Sequence, residues 1–207
     1  MKKRFFFAII LVASLMSGST IAQMLPTVAT DVSPMLVGET IPDATIVSAS
    51  GNSVSLYSLI KQKPTVIVFY RGVWCPNCIK NFQEEFKPNL AEIERSGYNL
   101  ITICPDTPTS LMETSKQTGM ESKYFYGDPT GELSKAMGLA FKQNERMSER
   151  LLGSSDGKNT DLYLPVPAVY IVGVDNEIIF ADIRPNGISS AKRIKWRLLG
   201  AVLQAYK

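Results

Sequence analysis

The sequence predicts an α/β domain in which a mixed central sheet is flanked by helices and preceded by an N-terminal β-hairpin. Three observations carry this expectation. Residues 65–70 form a continuous β-branched and aromatic run, the pattern of a strand buried on both faces. Directly after it, apolar residues recur at spacings of three and four, the period of a helix that packs one face. Strand-like and helix-like segments then alternate as βαβα, and a hairpin near the end implies that some strands run antiparallel. The 207 residues suit one domain, and 45% hydrophobic with 20% charged residues is a globular composition.

The elements follow in order. Lys2, Lys3 and Arg4 precede an apolar run over 5–16 and then small residues ending at Ala22, the order of a secretory signal peptide cleaved after Ala22. The run is shorter than the ~20 residues of a spanning helix, so no membrane insertion is expected after cleavage, with an uncleaved membrane anchor as the alternative. Residues 23–36 contain two prolines and no period, and read as an extended lead-in to a domain over 37–207. Residues 44–47 and 53–56 flank the turn signal Ser50-Gly51-Asn52 and form the expected N-terminal hairpin. Lys63-Pro64 punctuates the chain before the 65–70 strand. Beyond it Ile79, Phe82, Phe86, Leu90 and Ile93 share a helical face. Pro76 fits the first turn, and Pro88 should kink or split the helix before Ser96-Gly97 ends it.

Residues 99–104 are expected as a strand, 107–118 as a helix, and 131–139 as another helix after the Asp128-Pro129 turn. Residues 168–174 and 177–183 bracket the hairpin signal Asp175-Asn176. A terminal helix is expected over 189–206, with Ile194, Leu198, Leu199, Val202 and Leu203 apolar. Its Lys192, Arg193, Lys195 and Arg197 read as a solvated face over a packed core, and Tyr124, Phe125 and Tyr126 as packing residues. The polar stretch 143–161, rich in turn formers, is expected to be a mobile surface insertion.

The net charge of +3 is small, and the basic residues form no run able to track a phosphate backbone, so nucleic acid is not an expected partner. The chain has no histidine, which removes Ser-His-Asp and Cys-His hydrolase mechanisms; with three cysteines it lacks the ligands of a structural zinc site. No metal or other cofactor is expected. What remains is Cys75-Pro76-Asn77-Cys78, a pair too close to stabilise a fold by closing a loop. Placed where a strand turns into a helix, Cys75 would cap the helix, where free N–H groups and the helix dipole favour its thiolate. Cys78, one turn further in and more sheltered, would resolve the mixed disulfide. Trp74 offers an apolar lip and Arg71 a nearby positive charge. Cys104 reads foremost as a buried apolar residue, with a role as an additional resolving thiol as its alternative.

The segment FYRGVWCPNC, residues 69–78, resembles the active-site segment of thioredoxin-like redoxins, in particular the peroxiredoxin-like branch (alkyl hydroperoxide reductase and thiol-specific antioxidant) with a WCPxC motif. Val37-Gly38-Glu39-Thr40-Ile41-Pro42-Asp43 is similar to that family's opening, Asp128-Pro129-Thr130-Gly131-Glu132-Leu133 to its mid-domain turn, and Pro165-Val166-Pro167-Ala168-Val169-Tyr170 to its segment before the fourth core strand. The resemblance implies a thioredoxin-like fold, and a cis bond at Pro167 that packs against the cysteine pair.

The resemblance covers two activities. Peroxiredoxins carry a threonine or serine three residues before the peroxidatic cysteine and an arginine near the later strand; the matching positions here hold Gly72 and Pro167, leaving Arg71 or Arg184 to supply charge. Thioredoxins bury an acid in the central strand, where this chain has Phe69. The expectation is therefore an exported, periplasmic thiol-disulfide oxidoreductase that exchanges disulfides with a protein or small thiol. The alternative is a thiol-dependent peroxidase acting on hydroperoxides through Cys75. A binding module with no redox transition is the non-enzymatic reading.

Overall fold

The computed structural model describes residues 24–186 and 196–205. The expected signal peptide lies outside the described residues, as do Ile194, the terminal basic residues Lys192, Arg193 and Lys195, and the side chain of Arg197. Among the described residues no helix is long and apolar enough to cross a membrane.

The lead-in carries a single 3-10 turn, Ala29–Asp31. The N-terminal hairpin forms as expected from β1, Thr45–Ser48, and β2, Ser53–Ser55, paired antiparallel from Thr45 against Ser55 to Val47 against Ser53. Helix α1, Leu56–Ile60, follows at once; the Ser55 side chain accepts the Ser58 N–H and so caps it. The 65–70 run becomes β3, Thr65–Phe69, in which every residue is buried. It pairs parallel with β4, Asn99–Cys104, and antiparallel with β8, Ala168–Val172. β8 in turn pairs with β9, Ile178–Ile183. The turn between them has Asn176 at φ 69°, the left-handed conformation asparagine tolerates.

One strand of the main sheet was not expected. Tyr124 closes a 3-10 turn and Phe125–Gly127 forms β5, parallel to β4 and antiparallel to β1, so the hairpin joins the main sheet through it. The sheet order is β2-β1-β5-β4-β3-β8-β9. Alternation along β3 sends Val66 and Val68 to one face and Ile67 and Phe69 to the other. The first face packs on Phe82, Phe86, Ile93, Leu111, Leu199 and Leu203, the second on Leu56, Ile60, Leu133 and Met137. Helices thus cover both faces. Each such side chain removed from water contributes about 1.5–3 kcal/mol, which holds the β3 end rigid beneath the turn that follows it.

The segment after β3 splits as its prolines require. Helix α2, Pro76–Asn81, has Pro76 in its first turn; a π-helical turn, Phe82–Phe86, and a 3-10 turn, Lys87–Asn89, surround Pro88; and α3, Leu90–Arg95, completes the run. Helix α4, Pro108–Thr118, is followed by Gly119 at φ 64°. Helix α5, Glu132–Ala136, has its Leu133 and Ser134 N–H groups bound to the Asp128 carboxylate at 3.3 and 2.8 Å.

One expectation is refined and one corrected. Residues 143–161 lie mostly at the surface, as expected, but are built into the fold by a few buried residues. They are bracketed by a second small sheet, β6, Ala140–Lys142, against β7, Tyr163–Pro165, and contain helix α6, Ser148–Ser154, with Leu151, Ser155 and Asn159 buried. The Asn159 amide donates to the Tyr163 carbonyl at 2.9 Å and accepts its N–H at 3.0 Å, so polar turn residues are consumed inside the fold. The correction is Pro167. No peptide bond among the described residues is cis, and the chain runs extended from β7 into β8. The Val166 N–H donates to the Leu139 carbonyl at 2.9 Å and the Pro167 carbonyl accepts the Arg184 N–H at 2.8 Å, which holds that extended path without a reversal. The terminal helix, α7, is described over Trp196–Ala205 and buries Leu199 and Leu203.

Candidate active site

Residues 71–74 link β3 to α2 in one tight turn. The Tyr70 N–H donates to the Ile103 carbonyl at 3.0 Å, continuing the β3–β4 ladder, and the Cys75 N–H returns to the Gly72 carbonyl at 3.1 Å. Gly72 sits at φ 126°, a backbone conformation suited to glycine. Cys75 is the cap residue of α2, with extended φ −97° and ψ 97°, and its sulfur accepts the Cys78 N–H at 3.3 Å. Cys75 and Cys78 are joined as a disulfide, with Cα atoms 5.3 Å apart. The spacing across one helical turn brings the two sulfurs together, as the sequence implies.

Arg71 reaches the same sulfur. Its Nη2 donates to Cys75 Sγ at 3.5 Å, while the guanidinium lies over the Trp74 ring, 5.4 Å from its centre. Partial burial lowers the Arg71 pKa from its ordinary value, yet it remains a cation at neutral pH. Arg184, the other candidate charge, donates its Nε to both Asp182 oxygens at 2.9 Å and is held there. Cys75 is buried at 1% exposure whereas Cys78 is only half-buried, which reverses the expected order of shelter. With Arg71 reaching its sulfur and Trp74 stacked on that arginine, Cys75 is enclosed, while the first turn of a surface helix leaves Cys78 more open.

Pro167 enters β8, which pairs with β3 in the register Phe69 against Ala168, at the β3 end that leads to the site. Cys104 is a free, fully buried thiol at the end of β4. Burial foremost, then the charge of Asp106, raises its pKa well above the ordinary thiol value, an environment that suits a packing residue and not a nucleophile.

Sequence reading missed Asp106. Two residues beyond β4 it is fully buried, its Oδ2 accepts the Val73 N–H at 2.7 Å, and burial raises its pKa to about 6 against the lowering effect of that hydrogen bond. An isolated acid between Pro105 and Thr107 carries no pattern in sequence; only the fold brings it under the 71–74 turn. Trp74 Nε1, Asp106 Oδ1 and Ser154 Oγ are buried with no hydrogen-bond partner among the described residues. An open groove of about 450 Å³ runs beside them, between Val73 and Trp74 on one side and Arg150, Gly153 and Ser154 of α6 on the other.

Known proteins share this architecture. Peroxidoxin BcpB from Mycobacterium tuberculosis superposes with a TM-score of 0.64 at 17% identity, covering 84% of this chain and 99% of that one. Reduced Prx3 in complex with H2O2 from Vibrio vulnificus gives 0.63 at 13% identity, covering 82% and 99%. At these identities the likeness is one of fold. In sequence, Peroxiredoxin bcp1 of Schizosaccharomyces pombe is 30% identical over 106 residues, 51% of this chain and 53% of that protein, so the chain spans about half the length of the curated relative it matches. The AhpC/TSA family model matches residues 37–181, a span that runs from the residue where the domain was expected to begin, through the Cys75–Cys78 turn, to β9; the chain belongs to the AhpC/TSA family.

Proposed function

We propose that the protein is a thiol-dependent peroxidase that reduces hydroperoxides with Cys75 and resolves the product with Cys78. One observation carries the reading: the Arg71 guanidinium on the Cys75 sulfur at 3.5 Å, in a chain whose family and fold neighbours are peroxiredoxins. A fixed cation and a helix N-terminus at one sulfur favour its thiolate and also the negative charge that develops on an oxygen leaving group beside it.

The Cys75 thiolate attacks the outer oxygen of the hydroperoxide and the O–O bond breaks. The departing alkoxide takes up a proton and leaves as an alcohol, or as water from hydrogen peroxide, and Cys75 becomes a sulfenic acid. The Cys78 thiol then displaces water from that sulfur and forms the Cys75–Cys78 disulfide. A dithiol partner, itself oxidised to a disulfide, returns the pair to two thiols. The second reading is disulfide exchange alone, favoured by a disulfide closed within one helical turn, which needs no peroxide to cycle. The order of the first 22 residues supports work outside the cytosol, and the mature N-terminus of the expressed protein tests it.

The test is hydrogen peroxide consumption by the full chain with a dithiol reductant, beside insulin reduction. Cys75-dependent peroxide turnover at least tenfold above the free dithiol rate supports the peroxidase. Insulin reduction with no peroxide turnover assigns the chain to exchange.

A further inference from the structure

Asp106 stands where a side chain on residue 72 would be. A Cβ on Gly72 would lie 2.7 and 3.2 Å from the two Asp106 oxygens and 3.0 Å from Trp74 Nε1. The carboxyl from the end of β4 therefore fills the space beside the redox pair that glycine leaves. Its Oδ2 holds the Val73 N–H at 2.7 Å, in the middle of the turn that carries Arg71 and Trp74. Its Oδ1 is buried and unpartnered among the described residues. The groups that face it are Tyr70 just after β3, Cys104 from β4 and Ser154 from α6, each neutral at pH 7, with Glu149 and Arg150 of α6 on the groove outside.

We propose that Asp106 is a positioning residue for the Cys75–Cys78 pair: its carboxylate holds the 71–74 turn, and with it Arg71, against Cys75, and protonation releases the turn, making the pair a proton-gated redox centre. A hydrogen bond from a backbone N–H to a carboxylate is roughly twice as strong as one to a neutral acceptor, so taking up a proton weakens the Val73 bond that ties the turn to the β4 end. Arg71 extends from the start of that turn, and its 3.5 Å reach to the sulfur depends on where the turn lies. Burial raises the Asp106 pKa to about 6, so the carboxylate prevails above that pH and the gate closes below it. The inference rests on Cys75 as the attacking thiol.

The test uses the full reduced chain and two reactions followed from pH 4.5 to 8: peroxide consumption, and alkylation of Cys75 by iodoacetamide with the labelled peptide identified. If both the thiol and Asp106 must be deprotonated, the alkylation rate falls about a hundredfold per pH unit on the acid side, against about tenfold when the thiol alone titrates. Asp106→Asn, which keeps a neutral acceptor and cannot titrate, is expected to show the tenfold slope. A tenfold slope in the wild-type chain overturns the proposal, as does a hundredfold slope retained in Asp106→Asn. The wild-type profile decides even if that variant does not fold. A steep alkylation profile without peroxide turnover removes the peroxidase reading and keeps Asp106; peroxide turnover with the shallow profile does the opposite.

Discussion

Replacing Arg71 by methionine keeps much of the side chain's length over Trp74 and removes the charge that lies 3.5 Å from Cys75 Sγ. At that separation two unit charges interact by about 1 kcal/mol in water and by about 5 kcal/mol at an effective permittivity of ~20. Arg71 is only half-buried, so screening brings the value toward the lower part of that range, about 1–3 kcal/mol. Each 1.4 kcal/mol is about a factor of ten in an equilibrium, so the thiolate fraction of Cys75 at acid pH should fall by about fivefold to a hundredfold. The assay is ultraviolet thiolate absorbance, or iodoacetamide alkylation, of reduced Arg71→Met against wild type across pH. The variant's rate should approach wild type at alkaline pH, where both thiols are ionised, and Arg71→Lys should recover part of the loss at acid pH. Identical titrations for Arg71→Met and wild type would refute the electrostatic reasoning.

Three further outcomes follow from the geometry. An incoming monothiol such as mercaptoethanol should be trapped on Cys78, the more open sulfur, while Cys75 leaves as the stabilised thiolate; peptide mapping that finds the adduct mainly on Cys75 contradicts the burial order. Cys104→Ala should lower the melting temperature by the cost of a small cavity, about 1–2 kcal/mol, and mapping of the oxidised wild-type chain should find no Cys75–Cys104 disulfide. Asp128 is buried and its pKa is raised to about 6, above the unfolded value near 4. The folded state therefore holds the extra proton between those values, and stability falls as pH rises from about 4 to about 6, by up to about 3 kcal/mol, and is flat above. Denaturant unfolding of Asp128→Asn should lose that share of the slope, and equal slopes for variant and wild type would disprove it.

Where the elements begin and end was largely written locally. The 65–70 run, the helical spacing from Ile79 to Ile93, Pro88 as a breaker and Asp175-Asn176 as a hairpin turn each depend on residues within a few positions of one another, and the structure keeps them. β5 escaped notice because three residues, Phe125–Gly127, are too few to show a period and are strand only by lying between β4 and β1. The fate of 143–161 was equally out of reach, since a turn-rich segment looks the same whether its polar groups meet water or, as with Asn159 and Tyr163, meet each other.

The candidate site divides in the same way. That Cys75 and Cys78 meet follows from sequence alone, because a separation of three residues at a helix start leaves the sulfurs one turn apart. That Arg71 and not Arg184 reaches the sulfur, that Cys75 is the more enclosed thiol, that the bond before Pro167 is trans, and that Asp106 fills the space beside Gly72 were decided by tertiary structure. Covalent spacing determines what neighbours in the chain can touch. The contact between Asp106 and Val73, 33 residues apart, exists only because β3 and β4 pair in parallel and end side by side.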